Sequence, residues 1–528
     1  MYRPMKSLAY FPLLLALVFF SCQPSTESTV QEAEMLAEQA NYQEPHRPQF
    51  HFSPAANWMN DPNGMVFFEG EYHLFYQYYP DAMVWGPMHW GHAVSTDLVR
   101  WEHLPIALYP DELGYIFSGS AVVDWDNRAG FQTGTSPALV AIYTYHDPTG
   151  EKAGRNDFQT QGIAYSNDRG RTWTKYEDNP VVPNPGIKDF RDPKVFWHQD
   201  SEQWVMIFAS GDRVRIFNSP DLKAWQEVSE FGVDQGSHDG VWECPDLFPL
   251  EVAGETKWVM IVSLGSGGAN GGSGTMYFVG DFDGKTFTND NPAETVLWLD
   301  HGRDNYAGVT WSDIPEADGR RIFLGWMSNW AYATKVPTDP WRSAMTVART
   351  LELANTTEGI RLVSKPVREM EGLREKTHAL PTTSLTGSLD LTAEFGLASP
   401  LLQIGVVLDP SDTNSGQIGL AFSNSSGQSF RLGVDLETNQ VFIDRTEAGE
   451  KDFEASFAGK HTAPLVQLPS GQLHLHVLLD VSSVELFAQE GAVVMTDLFF
   501  PDTPYDQVEV FGEGEIVKGT VWELGGIW

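Results

Sequence analysis

Between about His46 and Leu353 a short unit recurs: a strand, a turn of Ser, Asp and Gly, and a bulky aromatic. It reads HAVSTDLVRW ending at Trp101, IAYSNDRGRTW at Trp173, RIFNSPDLKAW at Trp225 and, more loosely, YFVGDFDGKTF at Phe287. The intervals of 72, 52 and 62 residues suit four-stranded blades with long loops, so the unit predicts a β-propeller. A sandwich of unequal hairpins is the alternative. Runs such as EYHLFYQYY, ALVAIYTY, QWVMIFAS and KWVMIVSLG alternate or are wholly apolar and are broken by Gly, Pro, Asn and Asp, with little helical periodicity. The fold class is therefore all-β.

Length and the later pattern add a second unit. At 528 residues the chain is too long for one ordinary domain. Residues 354–382 turn more charged, and VSKPVREMEGLREK offers a short helix as a linker. Alternation resumes over 383–528 in LLQIGVVLD, IGLAFSN and QLHLHVLLDVSSVELFA, a size and pattern that fit a β-sandwich. At the other end Arg3 and Lys6 precede an apolar run from Leu8 to Phe20, too short to span a bilayer and laid out as a secretion signal. Ser21 and Cys22 follow as in a bacterial lipoprotein, although Phe19 and Phe20 depart from that pattern. Residues 1–22 then read as a signal whose Cys22 is lipidated, with simple secretion as the alternative, and 23–45 as a polar tether. In the lipoprotein reading the protein is exported and membrane-bound only through that anchor, on a periplasmic or cell-surface face. Lipidated Cys22 would leave Cys244 without a disulfide partner.

Charge restricts the ligand. Against 34 basic residues stand 71 acidic ones, a formal charge of −37, which repels nucleic acid and anionic membranes and favours a neutral ligand. Eighteen Trp, 17 Tyr and 31 Phe supply flat faces for sugar rings, although packing a large β core accounts for most of them.

Three acids sit in unusual company. Asp61 lies in NWMNDPNG, Asp192 in KDFRDPKVFW and Glu243 in VWECPDLF. Each is flanked by aromatics, is followed within two residues by Pro, and precedes an apolar strand. On local chemistry Asp61-Pro62 and Asn63-Gly64 read as two tight turns. An acid at the start of a buried strand can stand at the mouth of a propeller's channel, one per blade. Converging acids would suit glycoside hydrolysis by retention, in which an ionised carboxylate attacks and a protonated one donates. Neighbouring charge and partial burial would keep the donor protonated. Taken singly, each acid reads more readily as a solvated turn; it is three of one kind at different repeats that point to a site.

Together NWMNDPNG, FYQYYP, WGPMHWGHAVS, FSGSAVV, FRDPKVFW, VWECPDLF and LGWMSNW resemble, in order, glycoside hydrolase family 32, the invertases, inulinases and levanases that cleave β-fructosides. The resemblance implies a five-bladed propeller joined to a C-terminal β-sandwich, although the repeat shows four units. It implies Asp61 as nucleophile at the anomeric C2 of fructose, Glu243 as acid and base, and Asp192 as transition-state stabiliser kept ionised by Arg191. It places Asn60, Gln77, Trp85, Phe117, Ser118 and Trp330 around the fructose, and it calls for no cofactor and no metal. GPMHWGHAVS, KDFRDPKVFW and GRDNYAGVTW are most similar to levanases and exo-acting fructan hydrolases, so levan is the first substrate expected, then inulin and sucrose, with exo and endo action both open. A fructosyltransferase would share the three acids, whereas a non-catalytic fructan-binding protein would be expected to lack one.

Other signals carry less. GSGGANGGSG, Gly265 to Gly274, lacks the Lys-Ser/Thr ending of a phosphate loop and reads as a flexible loop. His89 and His92 have no further Cys/His cluster to complete a metal site and read as packing or substrate-side groups. DFDG, Asp281 to Gly284, begins like a calcium loop but lacks its distant Glu. Cys244 reads as a small buried residue or as an influence on the neighbouring acid.

Overall fold

The computed structural model describes residues 40–411 and 415–528. The expected signal with Cys22, and the tether as far as residue 39, lie outside the described residues.

Five antiparallel sheets stand around one axis, each opening on a buried strand. These inner strands are Asn57–Phe68, Tyr115–Asp124, Phe190–His198, Trp242–Val252 and Tyr306–Thr310. Each lies beside the next, and the first lies beside the fifth, which closes the ring. The late segment Trp341–Arg342 also pairs in parallel with the start of the first inner strand, Asn57 opposite Trp341, so the ends of the propeller are tied together. Most inner-strand side chains are buried, as a strand covered on both faces requires.

The repeated unit is the turn between the third and fourth strands of blades one to four. Its acid caps the turn: Asp97, Asp168, Asp221 and Asp283 each accept from backbone N–H groups two to four residues on. The fifth blade has the same hairpin, Arg349–Thr356 to Gly359–Pro366, but turns through Thr356 and Gly359 with no aromatic after them. That is why the repeat counts four units where the fold has five blades.

The linker expected over 354–382 is mostly strand. Gly359–Pro366 is the outer strand of the fifth blade, and Arg374–Leu380 already belongs to the second domain, leaving a link of one 3-10 turn, Arg368–Leu373. The charge that suggested a linker is shared between these strands and the turn, which carries Arg368, Glu369 and Glu371. In the second domain a long strand, Gln507–Leu524, pairs in its first half with Thr383–Asp390 and Gln417–Ser423, and in its second half with Arg374–Leu380 and Leu402–Pro410. Apolar residues of these strands and their neighbours, among them Ile404, Leu420, Leu432 and Val477, fill one core between two layers.

Buried charges join the domains. Arg349 of the fifth blade donates to Glu485, to Asp300 at 2.9 Å and to Thr496 at 2.7 Å. His51 bridges Asp480 and Glu485 at 2.8 Å on each ring nitrogen, and Arg445 of the sandwich reaches Asp304 at 2.7 Å. The glycine-rich loop is held at the same boundary, where Asn270 donates to His301 O at 2.6 Å and Thr462 O at 2.9 Å. It is a packed contact between domains, where the sequence suggested a flexible loop.

Candidate active site

Every inner strand contains one extra residue near its start. The register passes from Met59 opposite Tyr78 to Pro62 opposite Tyr76, from Ile116 to Gly119 against Tyr145 to Tyr143, and from Arg191 to Lys194 against Ala209 to Ile207. The fourth and fifth blades do the same at Glu243 to Asp246 and at Tyr306 to Val309. These are β-bulges, which re-aim side chains and release the strand from its ladder. Around the ring they set Asn60 and Asp61, Phe117 and Ser118, Asp192, Cys244 and Ala307 at one end of the channel. Asp192, Cys244 and Ala307 adopt φ of 67°, 45° and 52°, a left-handed backbone that surrounding structure must enforce.

The bulges correct the two turns expected in NWMNDPNG. The segment is one strand with an extra residue before Pro62 and another between Asn63 and Val66, where Gly64 has a φ of 52°. Pairing with Glu71–Tyr79 satisfies backbone groups that an isolated turn would have bonded locally. The prolines that follow Asp192 and Glu243 have the same origin. Pro193 and Pro245 occupy bulge positions, where the ladder asks for no N–H.

Asp61 is 9% exposed and well held. Ser118 Oγ donates to its Oδ2 at 2.7 Å and Asn60 Nδ2 to its Oδ1 at 3.0 Å, while Trp58 Nε1 fixes Asn60 Oδ1 at 2.7 Å. Burial raises its pKa, against the pull of Ser118 and Asn60 toward the ionised form. Asp192 Oδ2 accepts from Cys244 N at 3.0 Å. The Cys244 thiol lies 3.5 Å from Asp61 Oδ2 and 3.6 Å from Asp192 Oδ2, so one sulfur spans two carboxylates. Burial first, and then the three acids around it, push that thiol far up, so it remains an S–H donor. The bland expectation for Cys244, a small buried residue, holds, but it touches the two aspartates.

Arg191 stands beside its expected partner Asp192 but bonds two other acids more closely. Its Nη2 donates to Glu243 Oε1 and its Nη1 to Asp189 Oδ1, both at 2.7 Å, whereas its Nε is 3.8 Å from Asp192 Oδ2. Burial outweighs the guanidinium at Asp192, and Glu243 and Asp61 add to it, raising the carboxyl to about 7. The arginine thus orients Glu243 more than it ionises Asp192. The second Glu243 oxygen, Oε2, accepts from the Tyr306 hydroxyl. Sequence reasoning missed Tyr306 and also Gly265, where a Cβ would stand 3.2 Å from Glu243 Oε2. The only signal for Tyr306 was its place before an apolar strand in GRDNYAGVTW.

The remaining candidates surround this end of the channel. Gln77 lies opposite the first bulge, and its Nε2 is buried without a protein partner, free for a ligand hydroxyl. Phe117 stacks on His146 at 4.2 Å and meets Trp85 edge-on at 5.9 Å; Trp85 is exposed. Trp330 stacks on Trp58 at 5.9 Å. His89 and His92 bond to Pro87 O and to His73, which is packing rather than metal ligation.

Residues 51–366 match the glycosyl hydrolases family 32 N-terminal domain, and residues 369–523 match the family 32 C-terminal domain. The chain belongs to glycosyl hydrolase family 32. Within that family it is similar to a levanase of Bacillus subtilis (strain 168), 51% identical over 500 residues that cover 93% of this chain and 72% of the relative. It is also similar to the extracellular exo-inulinase of Aspergillus ficuum, 38% identical over 93% of this chain and 97% of that one. The structure of β-fructofuranosidase from Schwanniomyces occidentalis complexed with fructosyl-erythritol superposes with a TM-score of 0.82 at 33% identity, covering 92% of this chain and 99% of that one. The two family 32 matches meet at the 3-10 turn between propeller and sandwich.

Proposed function

We propose that the chain is a retaining β-fructosidase that releases fructose from β-fructans, levan first and inulin and sucrose after it. One observation carries the reading: Asp61 and Asp192 sit in the bulges of their strands and Glu243 directly precedes the equivalent bulge of its own, so three acids far apart in sequence meet at one end of the propeller channel. Similarity to a levanase ranks levan ahead of the other substrates.

In this mechanism Asp61 attacks the anomeric C2 of a terminal fructose, and the C2–oxygen bond to the leaving sugar breaks as Glu243 gives that oxygen its proton. Ser118 and Asn60 hold Asp61 in its attacking orientation. Asp192 accepts hydroxyls of the ring, and those bonds favour its ionised form as positive charge develops at C2. Glu243, now a carboxylate held by Arg191 and Tyr306, takes a proton from water, the water oxygen bonds C2, and Asp61 leaves. Fructose departs with its configuration retained.

Asn60, Gln77, Trp85, Phe117, Ser118 and Trp330 would line the fructose subsite. With all three carboxylates converging, a purely binding role is not favoured, and transfer to sugar would need an acceptor site that outcompetes water. Export fits the signal-like first 22 residues and the extracellular relative, with Cys22 as the lipid anchor. Chromatography of the products from levan, inulin and sucrose tests the substrate. Fructose alone, fastest from levan, is expected; short oligosaccharides would shift the reading to endo action, and no product from any of the three would overturn it.

A further inference from the structure

The propeller channel has a second mouth. Partway along, Lys194 Nζ meets Asp246 Oδ2 at 3.2 Å, and that oxygen also accepts from Thr310 N and Oγ1 at 2.7 Å. All three residues are buried, so this cluster closes the channel behind the carboxylates. Beyond it, at the far ends of the inner strands, a cavity of about 690 Å³ opens among blades two to five. Its size is that of a small-molecule site. On strand Phe190–His198, Asp192 faces one mouth while Phe196 and His198 line the other, and the four residue steps from Asp192 to Phe196 span ~13 Å. A sugar in the first site does not reach the second.

Three side chains show what the cavity would bind. Trp125 on its rim is 59% exposed, and Nε1 donates to Asp313 Oδ1 at 2.8 Å, which fixes the ring with much of its surface in solvent. Trp204 in its wall is 4% exposed, yet its Nε1 has no acceptor, an orphan of the kind a ligand oxygen satisfies. Arg321 makes one long bond, Nη1 to Trp311 O at 3.4 Å, and forms no ion pair among the described residues. Asp200 and Asp281 line the same space. An anion would meet those carboxylates and a chain of net charge −37, and an apolar ligand would leave the donors unpaired. A neutral polyol with a ring face suits both. The geometry points to a second glycan site at this mouth, which holds one or two sugar units of the polysaccharide whose ends are cut at the first. That the polysaccharide is a fructan rests on the function proposed above.

A holding site raises the local concentration of chain ends and acts on polymer without acting on small substrates. The test compares wild type, Trp125→Ala and Trp125→Phe in native gels with and without levan, and in kinetics on levan and sucrose. Trp125→Ala is expected to lose most of its retardation in levan and to raise KM for levan about fivefold, with kcat and all sucrose constants unchanged. Trp125→Phe keeps the ring face and is expected to keep the retardation. Equal retardation of wild type and Trp125→Ala would overturn the site, as would parallel losses on levan and sucrose, which mean a structural role. Absence of product from levan, inulin and sucrose with wild type would instead overturn the fructosidase reading, and the gel comparison would still decide the second site.

Discussion

Tyr306, on the inner strand of the fifth blade, donates its hydroxyl to Glu243 on the fourth, while Arg191 on the third holds the other Glu243 oxygen at 2.7 Å. The proposed proton donor is therefore positioned by the blades on either side of its own. Tyr306→Phe removes one of those donors and keeps the packing. Its kcat on sucrose is expected to fall about tenfold with KM within twofold, because a mispositioned acid costs part of what general acid–base catalysis supplies. Steady-state kinetics decide it, and an unchanged kcat would remove Tyr306 from the mechanism.

Glu243→Gln should separate substrates by leaving group. A sugar alkoxide needs its proton, so hydrolysis of sucrose is expected to fall roughly 10²–10⁴-fold. A fructoside with an activated aryl leaving group needs less help and should lose much less in the first step. Burst kinetics on both substrates give the comparison, and equal losses would contradict the acid role.

Asp192 is a buried carboxyl whose ionised form the fold disfavours, with its pKa raised to about 7. A raised carboxyl stabilises the fold fully below its unfolded value of about 3.9, and the contribution is lost as pH climbs toward 7. Asp192→Asn should therefore match wild-type stability near pH 4 and exceed it near pH 8, by up to ~4 kcal/mol, while losing activity. Thermal melts at the two pH values check this, and a difference independent of pH would refute it.

The buried cluster between the domains sets a second pH window. Burial opposes the His51 cation, but Asp480 and Glu485 outweigh it and lift its pKa to about 9; burial also opposes the Glu485 anion, yet Arg349 and His51 bring its pKa down to about 2. The His51 contribution is complete below about 6.5 and lost as pH rises through 9, and that of Glu485 is complete above about 4.3 and lost as pH falls through 2. Melting temperature should hence be highest between about pH 4.5 and 6.5, and His51→Gln should flatten the alkaline fall. Arg349→Met, which strands two buried carboxylates, is expected to cost ~3–5 kcal/mol. Calorimetry across pH gives both numbers.

Much of this architecture is legible in the chain because its signals are local. The Ser and Asp that cap each blade's last turn lie within a few residues of the strand they end, so four blades show themselves, and the fifth escapes because Thr356 and Gly359 make the turn without a following aromatic. The acids are legible because Pro193 and Pro245 mark the bulges that aim them. What stays hidden is long-range. Nothing near Arg191 tells that its guanidinium also crosses to Glu243 at 2.7 Å, closer than to its neighbour Asp192 at 3.8 Å. Tyr306 lies 63 residues from the carboxylate that it bonds. The turn chemistry of Asp61-Pro62 and Asn63-Gly64 is real, but pairing with Glu71–Tyr79 converts both turns to bulges.

The most direct measurement is peptide mass spectrometry of Glu243→Gln after brief exposure to an aryl-activated fructoside, when the second step is slow and the intermediate accumulates. One added fructosyl unit on the peptide that contains Asp61, absent from Asp61→Ala, is the expected result. An adduct on another residue, or burst and turnover with no adduct at all, would contradict Asp61 as the nucleophile and with it the retaining mechanism.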